Sequence, residues 1–221
     1  MFTTRLFQDQ TSTSADNVAN QLREEILRGT LKVDQVLRQD KIASRLGTST
    51  IPVREALFKL NAEGLVEFIP NRGAFVLRLS GSELQEIYTL RLSLETLALK
   101  NAIGRYTDQI LGAAERILYQ MDSEKDIINW GELNWQFHRT LLEPADMPRL
   151  IGILRSLHLN IIRFLLQNVS TPEEFELRAK HRAEHFALLK ACRDRDAEIS
   201  EILLERHLSQ TTSLLLRFLE Q

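Results

Sequence analysis

The chain holds a single cysteine, Cys192, in 221 residues. That excludes an intramolecular disulfide and points to a reducing compartment. No apolar run approaches the roughly 20 residues a membrane-spanning helix needs. Residues 1–21 have no apolar core of the signal-peptide kind and are rich in Thr, Ser, Gln and Asn, so a cytoplasmic protein is expected. There is no internal repeat and no low-complexity linker. Charge of one sign is also scarce: the net charge of −2 argues against a surface coated in basic residues. What is present is ordinary for a protein that buries a core, with 43% hydrophobic and 26% charged residues. The length suits one large domain or two small ones.

The charge is unevenly shared. Residues 1–79 carry 11 Lys and Arg against 9 Asp and Glu, a net of +2, and residues 80–221 carry 17 against 21, a net of −4. A mildly positive front and a negative back suit a nucleic-acid reader joined to a sensing or assembly domain. The hydrophobic period changes at the same place. Asp16 is placed to cap a helix running to about Arg28, with Val18, Leu22, Ile26 and Leu27 on one face and Gly29 as its stop. Residues 1–14 read as a polar, frayed tail, and Thr30–Leu37 leaves room for a short strand. A helix over 39–46 ends at Gly47. The next runs from about Thr50 to Ala62, with Pro52 in the first turn, where the missing N–H has no partner to lose. Leu65–Ile69 and Ala74–Leu79 flank the turn Asn71-Arg72-Gly73 as two strands.

From Ser82 onward only helical periodicity is found, with helices expected near 82–104, 107–123, 126–142, 147–168, 172–193 and 195–219. The fold class is therefore mainly α. A winged helix-turn-helix domain is expected over residues 1–79, and an all-α antiparallel helical bundle over 80–221.

A helix that enters the major groove needs residues near its N-terminus that reach base edges. Ser49, Thr50 and Arg54 meet that need, with Thr50 and Arg54 four apart on one face. Arg54 suits a bidentate contact to guanine or a clamp on phosphate, and spacing alone does not choose between them. Gly73 at the hairpin tip allows close backbone approach to DNA, and Arg72 beside it supplies charge. The plainer alternative pairs Arg54 with Glu55 or Glu63 and leaves Gly73 as a turn residue.

The string from Gly47 to Val76 resembles the DNA-binding signature of the GntR family of bacterial transcription regulators. Pro52, Val53, Arg54, Glu55, Ala56 and Leu57 match it, as do Glu63, Gly64, Leu65, Val66, Arg72, Gly73 and Val76. The resemblance covers about residues 18–79 and implies binding to a double-stranded DNA operator. Thr50 stands where the signature has arginine, and Ile51 where it has threonine. The family's usual operator preference is therefore not carried over.

All five histidines lie in the helical part: His138, His158, His181, His185 and His207. Asn134 and His138, four apart, leave one helix in one direction, while His185 and His207 stand on the last two helices. Three imidazoles and one oxygen donor converging in a bundle suit zinc, nickel or a similar divalent ion. The region resembles the FCD ligand-binding domain of the FadR subgroup through Arg91-Leu-Ser-Leu-Glu95, Asn134-Trp-Gln-Phe-His138, Glu184-His185 and Arg206-His207-Leu208. Members of that group often hold a metal through one Asp and three His, and bind small organic acids beside it. His138, His185 and His207 fall on the histidine positions. Asn134 takes the aspartate position and brings an oxygen without its charge.

His158 and His181 match no ligand position and read as surface or supporting residues. Arg91 has two readings, a cation for an effector carboxylate or an intrahelical pair with Glu95. Trp130 and Trp135 read as core packing before pocket lining. Cys192 is followed by Arg193 and Arg195, which would lower its pKa were it exposed; it reads as a buried or inert thiol.

The function expected is that of a DNA-binding transcriptional regulator, a homodimeric repressor with no membrane association. Its operator binding would be modulated by a small carboxylate effector beside the metal. The alternatives are a regulator in which the ion itself is the effector and, further off, a metal-dependent hydrolase. Against the last, Glu184 beside His185 points away from the metal face and no nucleophile motif accompanies it.

Overall fold

The computed structural model describes residues 13–168 and 171–218, and the side chains of all of these except 166–168 and 171–176. The polar tail expected over residues 1–14 lies almost wholly outside the described residues. The chain divides into two compact units, Met1–Arg78 and Leu79–Gln221.

The first unit runs α1 (Ser14–Leu27), β1 (Val36–Leu37), α2 (Gln39–Leu46), α3 (Thr50–Ala62), β2 (Val66–Ile69) and β3 (Gly73–Val76). Thr13, not Asp16, caps α1. The Thr13 hydroxyl accepts from the Asp16 N–H while the Asp16 carboxylate accepts from the Thr13 N–H, so Asp16 is the reciprocal member of a capping box. Gly47 closes α2 in the left-handed region at φ 64°, which turns the chain into α3 within three residues. Val18, Leu22 and Ile26 of α1 are buried with Val53, Leu57 and Leu60 of α3. Arg23 spans the same seam with a two-pronged pair to Glu63, at 2.8 Å from Nε and 2.5 Å from its terminal nitrogen.

The strands pair antiparallel in the order β1-β3-β2, with Val36 opposite Phe75 and Val66 opposite Val76. The second wing strand stops at Val76, short of the expected Leu79. Leu79 is instead buried with Leu84 in the core of the second unit.

That second unit is helical throughout among its described residues: α4 (Gly81–Ala102), α5 (Asp108–Ser123), α6 (Ile127–Leu142), α7 (Pro148–Asn168), α8 (Thr171–Arg193) and α9 (Ala197–Arg217), with short 3₁₀ turns at Ile103–Arg105 and Glu143–Ala145. Polar caps set the breaks. Ser80 forms a capping box with Glu83, Thr107 accepts from the Ile110 N–H, and Asp126 accepts from the N–H groups of Ile128 and Asn129. Leu84, Leu99, Leu118, Phe137, Leu188 and Leu208 represent a continuous core. Cys192 belongs to it, and burial pushes its thiol above the ordinary range, so the flanking arginines do not activate it. No helix among the described residues is long and apolar enough to cross a membrane.

Candidate functional site

On the first unit, Ser49, Thr50, Arg54, Arg72 and Gly73 are all exposed, on the first turns of α3 and at the hairpin tip. Ser49 is the N-cap of α3, yet its hydroxyl makes no capping bond. Glu63 is committed to Arg23 and so does not partner Arg54. Instead the Arg54 guanidinium lies 5.5 Å from the ring centre of Phe58, and that ring stands 4.9 Å from Phe68 on β2. Arg72 is braced in the same way, 5.3 Å from the Phe75 ring. A cation on a ring face is held without losing its donors, so both arginines reach outward from fixed bases. Asn71 and Gly73 take positive φ, 61° and 98°, which folds the tip back on itself. Phe58 and Phe68 are the residues the sequence reading missed here. Their signal was an exposed aromatic one turn beyond Arg54.

In the helical unit four helices each send an i,i+4 polar pair inward. These are Arg91 and Glu95 from α4, Asn134 and His138 from α6, His181 and His185 from α8, and His207 and Thr211 from α9, all eight buried. His138, His185 and His207 present ligand atoms that all lie within 4.8 Å of one another. The outer nitrogen of two of these rings is fixed by a carboxylate. His138 Nδ1–H donates to Glu95 Oε2 at 2.9 Å, and His207 Nδ1–H donates to Glu184 Oε2 at 2.6 Å. In the neutral ring that bond leaves Nε2 a bare lone pair facing the centre, the tautomer a metal ligand needs. His207 Nε2 lies 3.3 Å from His185 Nε2, while His138 Nε2 and Asn134 Oδ1 have no hydrogen-bond partner. A buried polar atom without a partner is costly. Three inward imidazole nitrogens and one such amide oxygen are a donor set that fits a divalent cation. His185 is the weaker member, because its Nδ1 has no partner behind it.

Arg91 makes the intrahelical pair that one of its two readings expects. Its Nε donates to Glu95 Oε1 at 2.7 Å, so the pair with Glu95 is real, and it also lines a small cavity with Asn134, His158 and His181. Burial pushes the Glu95 carboxyl up, but Arg91 and His138 outweigh it and hold the group at about 2. The cavity measures about 10 Å³, the scale of one water molecule.

Neither His158 nor His181 is a surface residue, contrary to one expectation for them. His158 Nε2–H donates to the Gly131 carbonyl at 2.8 Å. Gly131 permits this close seam, because a Cβ there would come within 3.0 Å of Ile162 on α7. The Thr211 hydroxyl donates to the His207 carbonyl and so accepts from His181 Nε2–H at 3.0 Å. Trp130, read as packing, walls this cavity and also an open cleft of about 820 Å³ bordered by Met121, Asp122, Arg178, Arg182 and His185. Trp135 packs against His158 at 5.5 Å.

Burial holds His158, His181 and His185 well below the ordinary histidine range. It takes His207 to about 4 despite the opposing pull of Glu184. The unfolded chain therefore binds protons that the folded chain refuses. Their neutral burial favours the fold fully above pH 6.5, and that contribution drains away as pH falls toward 4. His207 alone accounts for about 3 kcal/mol. Urea midpoints of the helical unit should fall steeply between pH 6.5 and 4.5. A flat profile across that window would contradict the neutral state of these rings.

Residues 14–76 match the model of the gntR family of bacterial regulatory proteins, and residues 86–210 match that of the FCD domain. The chain belongs to the GntR family. It is a DNA-binding transcription regulator and not an enzyme, which removes the hydrolase alternative. This GntR protein is 28% identical over 202 residues to the probable D-xylose utilization operon transcriptional repressor of Paenarthrobacter nicotinovorans, covering 87% of this chain and 86% of that one. It is 25% identical over 194 residues to the HTH-type transcriptional repressor RspR of Escherichia coli K12, covering 86% and 83%. The solved structure of E. coli McbR/YncC shares its fold at a TM-score of 0.75 and 24% identity, over 93% of this chain and 98% of the other.

Proposed function

We propose that this GntR regulator is a homodimeric repressor that releases its operator when a small carboxylate binds beside a divalent metal, zinc or nickel. His138, His185 and His207 supply the nitrogen ligands and Asn134 an oxygen. The observation that carries this reading is the pair of carboxylate–histidine dyads, Glu95–His138 and Glu184–His207, whose rings converge with His185, while Asn134, with its bare oxygen, stands one turn before His138 on α6. When bound, the metal supplies an electrophilic contact for the effector's carboxylate. Arg91, on the cavity wall, adds a cation partly neutralised by Glu95. Ser49, Thr50, Arg54, Arg72 and Gly73 form the DNA contact surface, and two copies address the half-sites of a pseudo-palindromic operator. Two relatives bear the name of repressor, which supports that direction of control. The effector alters operator affinity only by as much as it binds the two states of the protein differently.

A second reading, with the ion itself as effector, is favoured by the size of the cavity. Room for one water or one ion is not room for an organic acid, which needs the cavity to widen; Trp130 lines both it and the open cleft. One experiment separates the two. Elemental analysis of the purified protein is followed by melting curves and DNA-binding titrations with zinc, with a chelator, and with zinc plus lactate or citrate. Zinc should raise the melting temperature and the chelator should reverse the rise. DNA release by zinc plus acid, but not by zinc alone, supports the organic-acid receptor. Release by zinc alone supports the metal sensor. The Asn134→Asp substitution should tighten zinc by about tenfold or more, because a full negative charge replaces a carbonyl dipole at the ion. Unchanged metal content in His138→Ala would remove the site.

A further inference from the structure

Ile51 is 69% exposed, the most exposed of the large hydrophobic side chains among the described residues. It occupies the second position of α3, directly after Thr50. A lone surface isoleucine is unremarkable, but this one is placed among reading residues. At 100° per residue, Ile51, Arg54 and Phe58 share one exposed face, opposite the buried stripe of Val53, Ala56, Leu57 and Leu60. Phe58 on that face is used by Arg54 and Phe68, whereas Ile51 lies two turns nearer the helix N-terminus, where a recognition helix touches base edges. Its side chain offers no hydrogen bond. In the major groove the base edge that answers an aliphatic group is the C5-methyl of thymine.

We propose that Ile51 is a specificity residue that packs on a thymine methyl in each half-site. That thymine lies within one or two base pairs of the base or phosphate met by Arg54. The spacing follows from the helix: residues three apart rise about 4.5 Å along the axis, against 3.4 Å between stacked base pairs. The proposal deepens the DNA-reading role given to α3 above and rests on it. It also gives a physical content to the departure at this position. A hydroxyl bonds to several bases or to phosphate, while an isoleucine is useful only against a methyl or another apolar edge.

The test starts from a random duplex library, so no operator need be known. Wild-type protein, Ile51→Ser and Arg54→Ala are each used to enrich binding sites. Ile51 is exposed, so its replacement leaves the core untouched. Wild type should enrich sites with an invariant thymine that Ile51→Ser no longer selects. In the wild-type consensus, each thymine is then replaced singly by deoxyuridine, which removes only the methyl. One such replacement should weaken wild-type binding about fourfold in fluorescence anisotropy, the effect of one buried methyl-sized group. Ile51→Ser should bind the thymine and uracil duplexes alike. If every uracil duplex binds wild type as well as its parent, or Ile51→Ser selects the same thymine, the proposal is overturned. If Arg54→Ala also selects the wild-type consensus, the fault lies with α3 as the reading helix. An altered Arg54→Ala consensus confines it to Ile51.

Discussion

Glu95→Gln should be among the most destabilising single substitutions in the helical unit, with a loss of about 3–5 kcal/mol. Glu95 carries no exposed surface to speak of and holds two groups at once, Arg91 through Oε1 and His138 through Oε2. The glutamine amide removes the charge, so the Arg91 guanidinium is left buried without its counter-ion, and one of the two acceptors becomes a donor facing a donor. A domain of this size should melt on the order of 10 °C lower, read by circular dichroism. The control is the double substitution Arg91→Met with Glu95→Leu, which removes both charges and should recover much of the loss. It should not recover metal binding, because His138 still lacks the partner that fixes its tautomer. Wild-type stability in the single variant would mean that the buried triad of Arg91, Glu95 and His138 carries no net weight.

Arg54→Ala should weaken binding to an enriched DNA site by roughly 10- to 100-fold, the 1–3 kcal/mol of a good base contact. The salt dependence then tells which contact is lost. A base reader leaves binding to random DNA nearly unchanged and flattens the preference at one position. A phosphate clamp weakens every sequence alike and lowers the slope of log affinity against log salt by about one. Phe58→Ala should reproduce a fraction of the same loss, since it frees the guanidinium that the ring now braces. If Arg54→Ala binds as wild type does, α3 does not read DNA through this residue.

Much of the fold could be read from the chain because its breaks are local chemistry. Ser80, Thr107 and Asp126 cap helices through atoms within three residues of themselves, and Gly47 turns the chain by its own φ. The convergence of His138, His185 and His207 was legible for a related reason. Each lies on its own helix at a known depth, and a bundle brings such faces together. What escaped was whatever depends on a second helix. Glu95 was read only as the i+4 partner of Arg91, because nothing local reveals that its other oxygen meets His138 43 residues away. Glu184 was read as turned from the metal face, and it does stay outside it, but as the group that orients His207. His181 and Thr211 carried a usable sign, each four residues from a member of the trio. His158 carried none, since its burial depends on the Gly131 seam.

The rings of Phe58 and Phe68 bear on the architecture of the operator itself. One belongs to α3 and the other to the wing, and they touch. The gap between what α3 meets in one groove and what the wing meets beside it is therefore a gauge set by carbon packed on carbon. A duplex whose local geometry does not fit that gauge must bend or change groove width to meet both elements, and the energy of doing so depends on its base steps. On the DNA-reading role proposed for α3 and the wing, the domain would sort DNA by stiffness as well as by letter, at positions that no side chain touches.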